Sequence, residues 1–302
     1  MMEKVGVIIK ELRTSKKIKS ETLYKGLLSR QARSNFEKGN NDTTVNKFFI
    51  MLDRLNISLE EFYVAFTQNE DVELHLFHNI APIFYSKDKE GLDSLVEKLG
   101  REYKKTNNVK YLHYRIMAQN LLSTLNNEPK STEFEVLSNY LINCDSWGYY
   151  EIMLFSNSLN YFSQQLIDTV FKRVQHTLKK YYMMQRYKNE YSMLLLNIIY
   201  KNLRDLNISQ VQKYFKEYDQ LNQHLQNDMY YQSMRKFFYE VICACTNKDH
   251  STHELEKIIS YLGYFNMKNK QKQCIELLGE LNFQVKEIND EERGIFFKIT
   301  KN

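Results

Sequence analysis

Arg30, Gln31, Arg33, Ser34 and Asn35 fall within six consecutive residues, inside the segment LSRQARSNFEKGNND at 28–42. Arginine carries a planar fork of donors that fits a phosphate or the acceptor edge of guanine. Glutamine and asparagine pair bidentately with adenine, and serine reaches phosphate or base. On a helix, residues three and four apart share a face, so this spacing offers hydrogen bonds to an anionic, base-bearing polymer. Ser29 is a candidate N-cap, which directs the first free amides of the helix toward phosphate. Lys16, Lys17, Lys19, Lys25 and Lys38 flank the segment as backbone-positioning cations, while Phe36 is expected to point inward. A lone cationic helix is more often an ordinary solvated face, so the surrounding elements decide.

Those elements read as five short helices within residues 1–66. Val5, Ile8, Ile9 and Leu12 share one helical face. A second helix begins at Ser20 and brings Leu23 and Leu27, with Gly26 near its end. The third is expected over Arg30 to Lys38, with Gly39 just beyond it. Val45, Phe48, Phe49 and Leu52 mark a fourth, capped by Thr43 or Thr44. Ser58 and Glu61 form a capping box for a fifth, which carries Leu59, Phe62, Tyr63 and Phe66. Helix, short turn and short polar helix in that order is a helix-turn-helix, with the third helix as the one that enters the major groove. Charge agrees with this division: residues 1–54 hold 12 Lys and Arg against 6 Asp and Glu, whereas the remainder holds 30 against 31.

Residues 1–66 resemble the N-terminal, XRE-type (lambda-repressor-like) domain of the Rgg/GadR/MutR family of Gram-positive transcriptional regulators. The resemblance rests on Ser29-Arg30, Phe36-Glu37-Lys38-Gly39, Leu52-Asp53-Arg54-Leu55-Asn56 and Ser58-Leu59-Glu60-Glu61-Phe62. Two positions depart from the pattern. Arg33 stands where a large apolar residue usually seats the third helix, and Tyr24 where a small residue is usual.

Beyond TQNEDV at 67–72, read as a short linker, residues 73–302 are expected to be amphipathic helices of about 12–18 residues. Helix starts recur near 109, 149, 189, 229 and 269. Stepping by forty from Tyr114 gives Leu154, Leu194, Met234 and Cys274, all apolar; stepping from Leu121 gives a poorer column that includes Lys201. Two helices per forty residues, slightly longer than a tetratricopeptide unit, predict an α-solenoid, and the fold class is all-α; the resemblance implies that its hairpins are tetratricopeptide-like. The resemblance implies that this part dimerises and binds a short signalling peptide, with DSWGYYEIMLFSNSLNYF and MLLLNIIYKNL as middle repeats. Candidate peptide contacts are Asn157 and Asn197, forty apart, whose amides can satisfy a peptide backbone. Arg115 and Arg235 are candidates for an acidic group, and Tyr111, Tyr191 and Tyr231, in one column, for aromatic walls. Met183, Met184 and Met193 are read as core packing.

The sequence excludes several classes. It has no glycine-rich phosphate loop, nucleophile elbow or His-Glu-x-x-His pattern, so no enzyme, cofactor or metal is expected. Cys243-x-Cys245 with His250 and His253 matches no zinc spacing, and neither His75 with His78 nor His250 with His253 has a ligand partner at a recognised interval. No run approaches a membrane span and the N-terminus lacks a signal-peptide core, so a cytoplasmic protein is expected. The expected function is a homodimeric, sequence-specific regulator of double-stranded DNA under peptide control. The competing readings are a repeat domain that senses redox state or a protein partner, and a helical scaffold that does not read DNA.

Overall fold

The computed structural model describes residues 4–67, 80, 82–181, 183–222, 228–247, 249–290 and 294–301. The chain divides into two compact units, 1–81 and 82–302. The proposed linker from residue 68 onward, His75 and His78 lie outside the described residues.

The first unit contains α1 (Val5–Ser15), α2 (Ser20–Tyr24), α3 (Arg30–Glu37), α4 (Val45–Leu55) and α5 (Leu59–Thr67). Ile8, Ile9, Leu23, Tyr24, Phe36, Met51, Leu52, Leu55 and Phe62 form its core. Caps explain the boundaries. Ser29 Oγ accepts from the Ala32 amide at 3.3 Å, and Thr44 Oγ1 from Lys47 at 3.5 Å. Ser58 and Glu61 cap each other reciprocally at 2.6 and 3.1 Å. Gly39, at φ +69°, turns the chain out of α3, with Asn40 N donating to Asn35 O at 2.9 Å. The third helix ends one residue earlier than the sequence suggests, with Lys38 as its C-cap.

The second unit runs α6 (Lys89–Thr106), α7 (Val109–Asn126), α8 (Phe134–Asn143), α9 (Tyr149–Ser156), a 3-10 turn (Leu159–Tyr161), α10 (Gln164–Tyr181), α11 (Gln185–Arg204), α12 (Ile208–Asn222), α13 (Met229–Thr246), α14 (His253–Tyr264) and α15 (Lys268–Glu280). Helices start at 109, 149, 185, 229 and 268, close to the forty-residue period. The column Tyr114, Leu154, Leu194, Met234 and Cys274 is buried throughout, at 6% exposure or less. Cross-repeat hydrogen bonds follow the same period, as in Asn197 Nδ2 to Ser156 Oγ at 3.2 Å and Tyr231 OH to Asn189 O at 3.4 Å.

The helical expectation fails at the C-terminal end. Residues 283–301 form an antiparallel hairpin, β1 (Phe283–Asp290) with β2 (Gly294–Lys301), in register Phe283 opposite Lys301. Alternation decides this: Phe283, Phe297 and Ile299 are buried while Gln284, Lys298 and Thr300 are exposed, which is period two. The hairpin packs on α14 and α15, and Glu256 and Thr252 bind both backbone groups of Ile299, at 2.9 and 2.7 Å.

His113 on α7 is 1% exposed. Its Nδ1 lies 2.8 Å from Tyr150 OH, and its ring is 4.5 Å from that of Tyr140. Burial pushes its pKa down to about 4 against the attraction of Glu151. An unfolded histidine titrates near 6.5, so below that pH the unfolded chain binds the additional proton and stability falls as pH drops toward 4. The loss attributable to this group is about 3 kcal/mol. Urea midpoints measured between pH 7 and 4.5 are expected to fall less steeply for His113→Gln than for the wild type; parallel slopes would contradict this.

Candidate functional site

α3 is seated by contacts on one side only. Phe36 is 1% exposed and meets Tyr24 edge-on at 6.2 Å. Glu37 accepts from Arg13 Nε at 2.8 Å, from Arg13 Nη2 at 3.2 Å and from Tyr24 OH at 2.9 Å, which ties α1, α2 and α3 together. Tyr24, the large residue in an ordinarily small position, therefore serves the end of α3. Burial and the Glu37 carboxylate hold its phenol protonated. Arg54 Nη1 donates to the carbonyls of Leu23 and Lys25 at 2.7 and 2.8 Å, fixing the turn that leads into α3.

The opposite side of α3 presents Arg30, Gln31, Ser34 and Lys38, all exposed. Among the described residues, Arg30, Gln31, Ser34 and the half-buried Asn35 have no side-chain hydrogen bond or ion pair. Their donors and acceptors face outward. Ser29 uses its hydroxyl as the N-cap, so it contributes through the helix start. Arg33 is placed differently from a base-contacting residue: it is half-buried, and its Nε donates to Leu28 O at 3.0 Å, bracing the first turn of α3. Lys16, Lys17 and Lys19 are exposed, and Lys16 Nζ reaches Asn56 O at 3.3 Å.

In the second unit the seven expected peptide contacts separate into three groups. Tyr111, Tyr191 and Tyr231 are 7%, 5% and 6% exposed, so they are core residues rather than groove walls. The reason is positional: each precedes the buried column at 114, 194 and 234 by one helical turn and shares its face. Arg115 Nη2 pairs with Glu133 at 2.7 Å, and Arg235 Nε with Asp219 at 2.5 Å, so both guanidinium groups link neighbouring elements. Asn197 reaches the end of α9 through Ser156 Oγ at 3.2 Å, while the neighbouring Asn157 donates its Nδ2 to Met153 O of its own helix at 2.8 Å.

These amides border a partly exposed strip of α11 formed by Glu190, Met193, Asn197, Tyr200, Lys201 and Arg204, with Arg186 at its start. The strip is flanked by α9 through Ser156, by α13 through Tyr230, whose OH lies 3.8 Å from Met193 Sδ, and by α15 through Glu280, paired with Arg204 at 2.9 Å. Burial pushes Glu190 up to about 7 and Tyr200 up to about 12. Met193 thus lines this strip instead of filling the core. Tyr200 and Arg204 were missed because the forty-residue columns containing them hold no matching residue types in other repeats. Met183, by contrast, is 88% exposed.

No helix among the described residues is long and apolar enough to cross a membrane, and these residues include no group of three metal-ligating side chains. The fold is shared with solved proteins of low sequence identity. A chain from Listeria monocytogenes EGD-e, provisionally named a transcriptional regulator, superposes with a TM-score of 0.78 at 17% identity, covering 94% of this chain and all of that one. The Streptococcus dysgalactiae SHP pheromone receptor Rgg2 gives 0.70 at 18% identity over 90% of this chain and 98% of its own. PrgX in complex with cCF10 gives 0.69 at 16% identity, over 92% and 100%. The sequence model described as "HTH-type transcriptional regulator Rgg, C-terminal domain" matches residues 94–276, most of the second unit, and the chain belongs to the Rgg family of transcriptional regulators.

Proposed function

We propose that the first unit reads double-stranded DNA with α3 in the major groove, and that a short signalling peptide bound along the α11 strip controls it. The observation that carries the DNA reading is the two-sidedness of α3. Phe36, Glu37 and Arg33 hold it from behind, while Arg30, Gln31 and Ser34 present unpaired base-pairing groups in front. Asn35 stands at the edge of that face, and Lys16, Lys17, Lys19 and Lys38 supply phosphate contacts. A peptide is supported by the structural likeness to an SHP pheromone receptor and to PrgX bound to cCF10. It is also supported by the strip itself, which offers amides at Asn157 and Asn197 beside the adaptable thioether of Met193.

As a cytoplasmic homodimer the protein would meet two half-sites about one helical turn, or a multiple of one, apart. Peptide binding can change operator affinity only as far as the peptide prefers one of the two states. At three of the four cysteines burial disfavours the redox alternative: it pushes Cys144 and Cys245 up and Cys274 up to about 12, which suppresses reactive thiolate.

The two classes of DNA contact predict different losses. An Arg30→Ala/Gln31→Ala variant is expected to lose discrimination between an operator and a scrambled duplex by roughly 1–3 kcal/mol per contact removed. Replacing Lys16, Lys17 and Lys19 by alanine is expected to weaken both duplexes alike and to flatten the salt dependence. Fluorescence anisotropy at several salt concentrations distinguishes these outcomes. Equal loss of discrimination in the two variants would count against α3 as the base-contacting helix.

A further inference from the structure

The C-terminal hairpin leaves one of its two edges unpaired. Thr252 Oγ1 donates to Ile299 O at 2.7 Å, and Ile299 N donates to the Glu256 carboxylate at 2.9 Å. Both backbone groups of Ile299 therefore point away from β1, and α14 occupies the outer edge of β2. Residues directly opposite in an antiparallel pair either exchange their two hydrogen bonds or both turn outward. Val285 is opposite Ile299, so its N–H and C=O point away from β2, and by alternation those of Glu287 and Asn289 do the same. Among the described residues these outward backbone groups have no hydrogen-bond partner. Val285 is half-buried, and Glu287 and Asn289 are exposed. The face of the hairpin turned away from the buried Phe283, Phe297 and Ile299 carries Lys286 opposite Lys298, both exposed. Next to them Ile288 stands opposite Phe296, both half-buried. Among the described residues neither lysine forms an ion pair. Like charges directly opposite weaken a strand pair, so this row of two ammonium groups favours an acidic third member. An unpaired edge invites a further strand, and lysine is a common device against self-pairing. Two-fold pairing with a second copy would bring two lysine rows together, so the charges oppose a copy of this chain and admit an acidic strand.

We propose that β1 takes an extended, acidic segment of a partner protein as the third, antiparallel strand of this sheet. The segment's backbone meets the outward groups of Val285, Glu287 and Asn289, which supply affinity without regard to sequence. Its side chains supply the selectivity. A carboxylate stands beside Lys286, in the row with Lys298, and two residues away an apolar side chain stands beside Ile288 and Phe296. The inference is independent of the peptide reading, because it uses none of the residues of the α11 strip.

The test uses the full chain and three synthetic probes with blocked ends and an uncharged dye. The first is Ser-Thr-Ile-Thr-Glu-Thr-Ile-Thr-Ser, and the second has lysine in place of the glutamate. The third is the first with N-methyl groups on the two threonines that flank the glutamate, which removes the amides an antiparallel partner must donate. By fluorescence anisotropy the wild type is expected to bind the acidic probe about tenfold more tightly than the basic one, and not to bind the N-methylated one. Lys286→Glu/Lys298→Glu is expected to reverse that preference. Glu287→Pro removes one outward N–H at an edge, where proline is tolerated, and is expected to weaken the acidic probe about tenfold or more. Equal affinity for the acidic and basic probes overturns the proposal, as does binding of the N-methylated probe or no binding of any probe. Acidic-probe binding that is unchanged in both variants places the probe elsewhere, as on the α11 strip, and also overturns it. A wild-type dimer that dissociates in Glu287→Pro would show that β1 pairs with a second copy instead. Should Glu287→Pro fail to fold by circular dichroism, the charge reversal and the N-methylated probe decide.

Discussion

Gly6→Ala is expected to abolish sequence-specific DNA binding although residue 6 lies on α1, outside the proposed interface. A Cβ built at Gly6 would stand 1.8 Å from the Phe36 carbonyl oxygen and 2.6 Å from its carbon. Both are backbone atoms in the last turn of α3, so no rotamer change relieves the overlap. The two helices must separate, and Phe36 must leave the core it shares with Ile9, Leu23 and Tyr24. Overpacking of this kind typically costs 1–3 kcal/mol and more where backbone has to move; about 3 kcal/mol is a large share of the stability of a small domain. Gly26→Ala is the control. That residue has φ +73° but no atom within 4 Å of the built Cβ, so its penalty is the left-handed conformation alone, about 1 kcal/mol. Hydrogen exchange of α1 and α3 amides in the two variants, beside operator affinity, checks the difference. Native-like protection in Gly6→Ala would show that the close approach of α1 and α3 is dispensable.

Glu37→Ala is expected to be the second severe lesion. It leaves the Arg13 guanidinium, whose side chain is 15% exposed, and the Tyr24 phenol without their shared carboxylate. Removing one partner of a mostly buried charged pair is worse than never having had the pair, because the survivor stays desolvated. The cost is on the order of 3 kcal/mol. Glu37→Gln keeps two of the hydrogen bonds and should lose less, so thermal unfolding of the three proteins is expected to rank wild type, Gln, Ala. Equal midpoints for Gln and the wild type would mean that the carboxylate only fills space.

The contrast between the two units shows what periodicity can reveal. In the first unit three of the five helices carry their own caps, Ser29, Thr44 and the Ser58–Glu61 box, and Gly39 turns out of α3. The local code was sufficient there. In the second unit asparagine replaces glycine at helix ends: Asn107, Asn127, Asn266 and Asn282 all take positive φ. The breaks at 157–163 and 265–267 contain neither glycine nor proline, which made them hard to see. The column from Tyr114 to Cys274 located the core, yet Tyr111, Tyr191 and Tyr231 were read as groove residues even though one turn separates them from it. Amphipathic tyrosine suits either place; the neighbouring column was the deciding information. Arg33 and Tyr24 also became interpretable only with Leu28 O and Glu37 in view. The hairpin at 283–301 was legible in principle, since Phe297 and Ile299 alternate with Lys298 and Thr300, but the helical period was carried past its end.

The most direct test of DNA reading is selection of genomic fragments by the purified full chain at about 0.15 M salt, where screening limits nonspecific attraction. Sequencing of the bound pool, with Arg30→Ala/Gln31→Ala run in parallel, is the readout. The wild type is expected to enrich one inverted-repeat motif with half-sites about one helical turn, or a multiple of one, apart, and the variant to enrich none. Recovery of the same unselective pool by both proteins would contradict the account and leave α3 a solvated cationic helix.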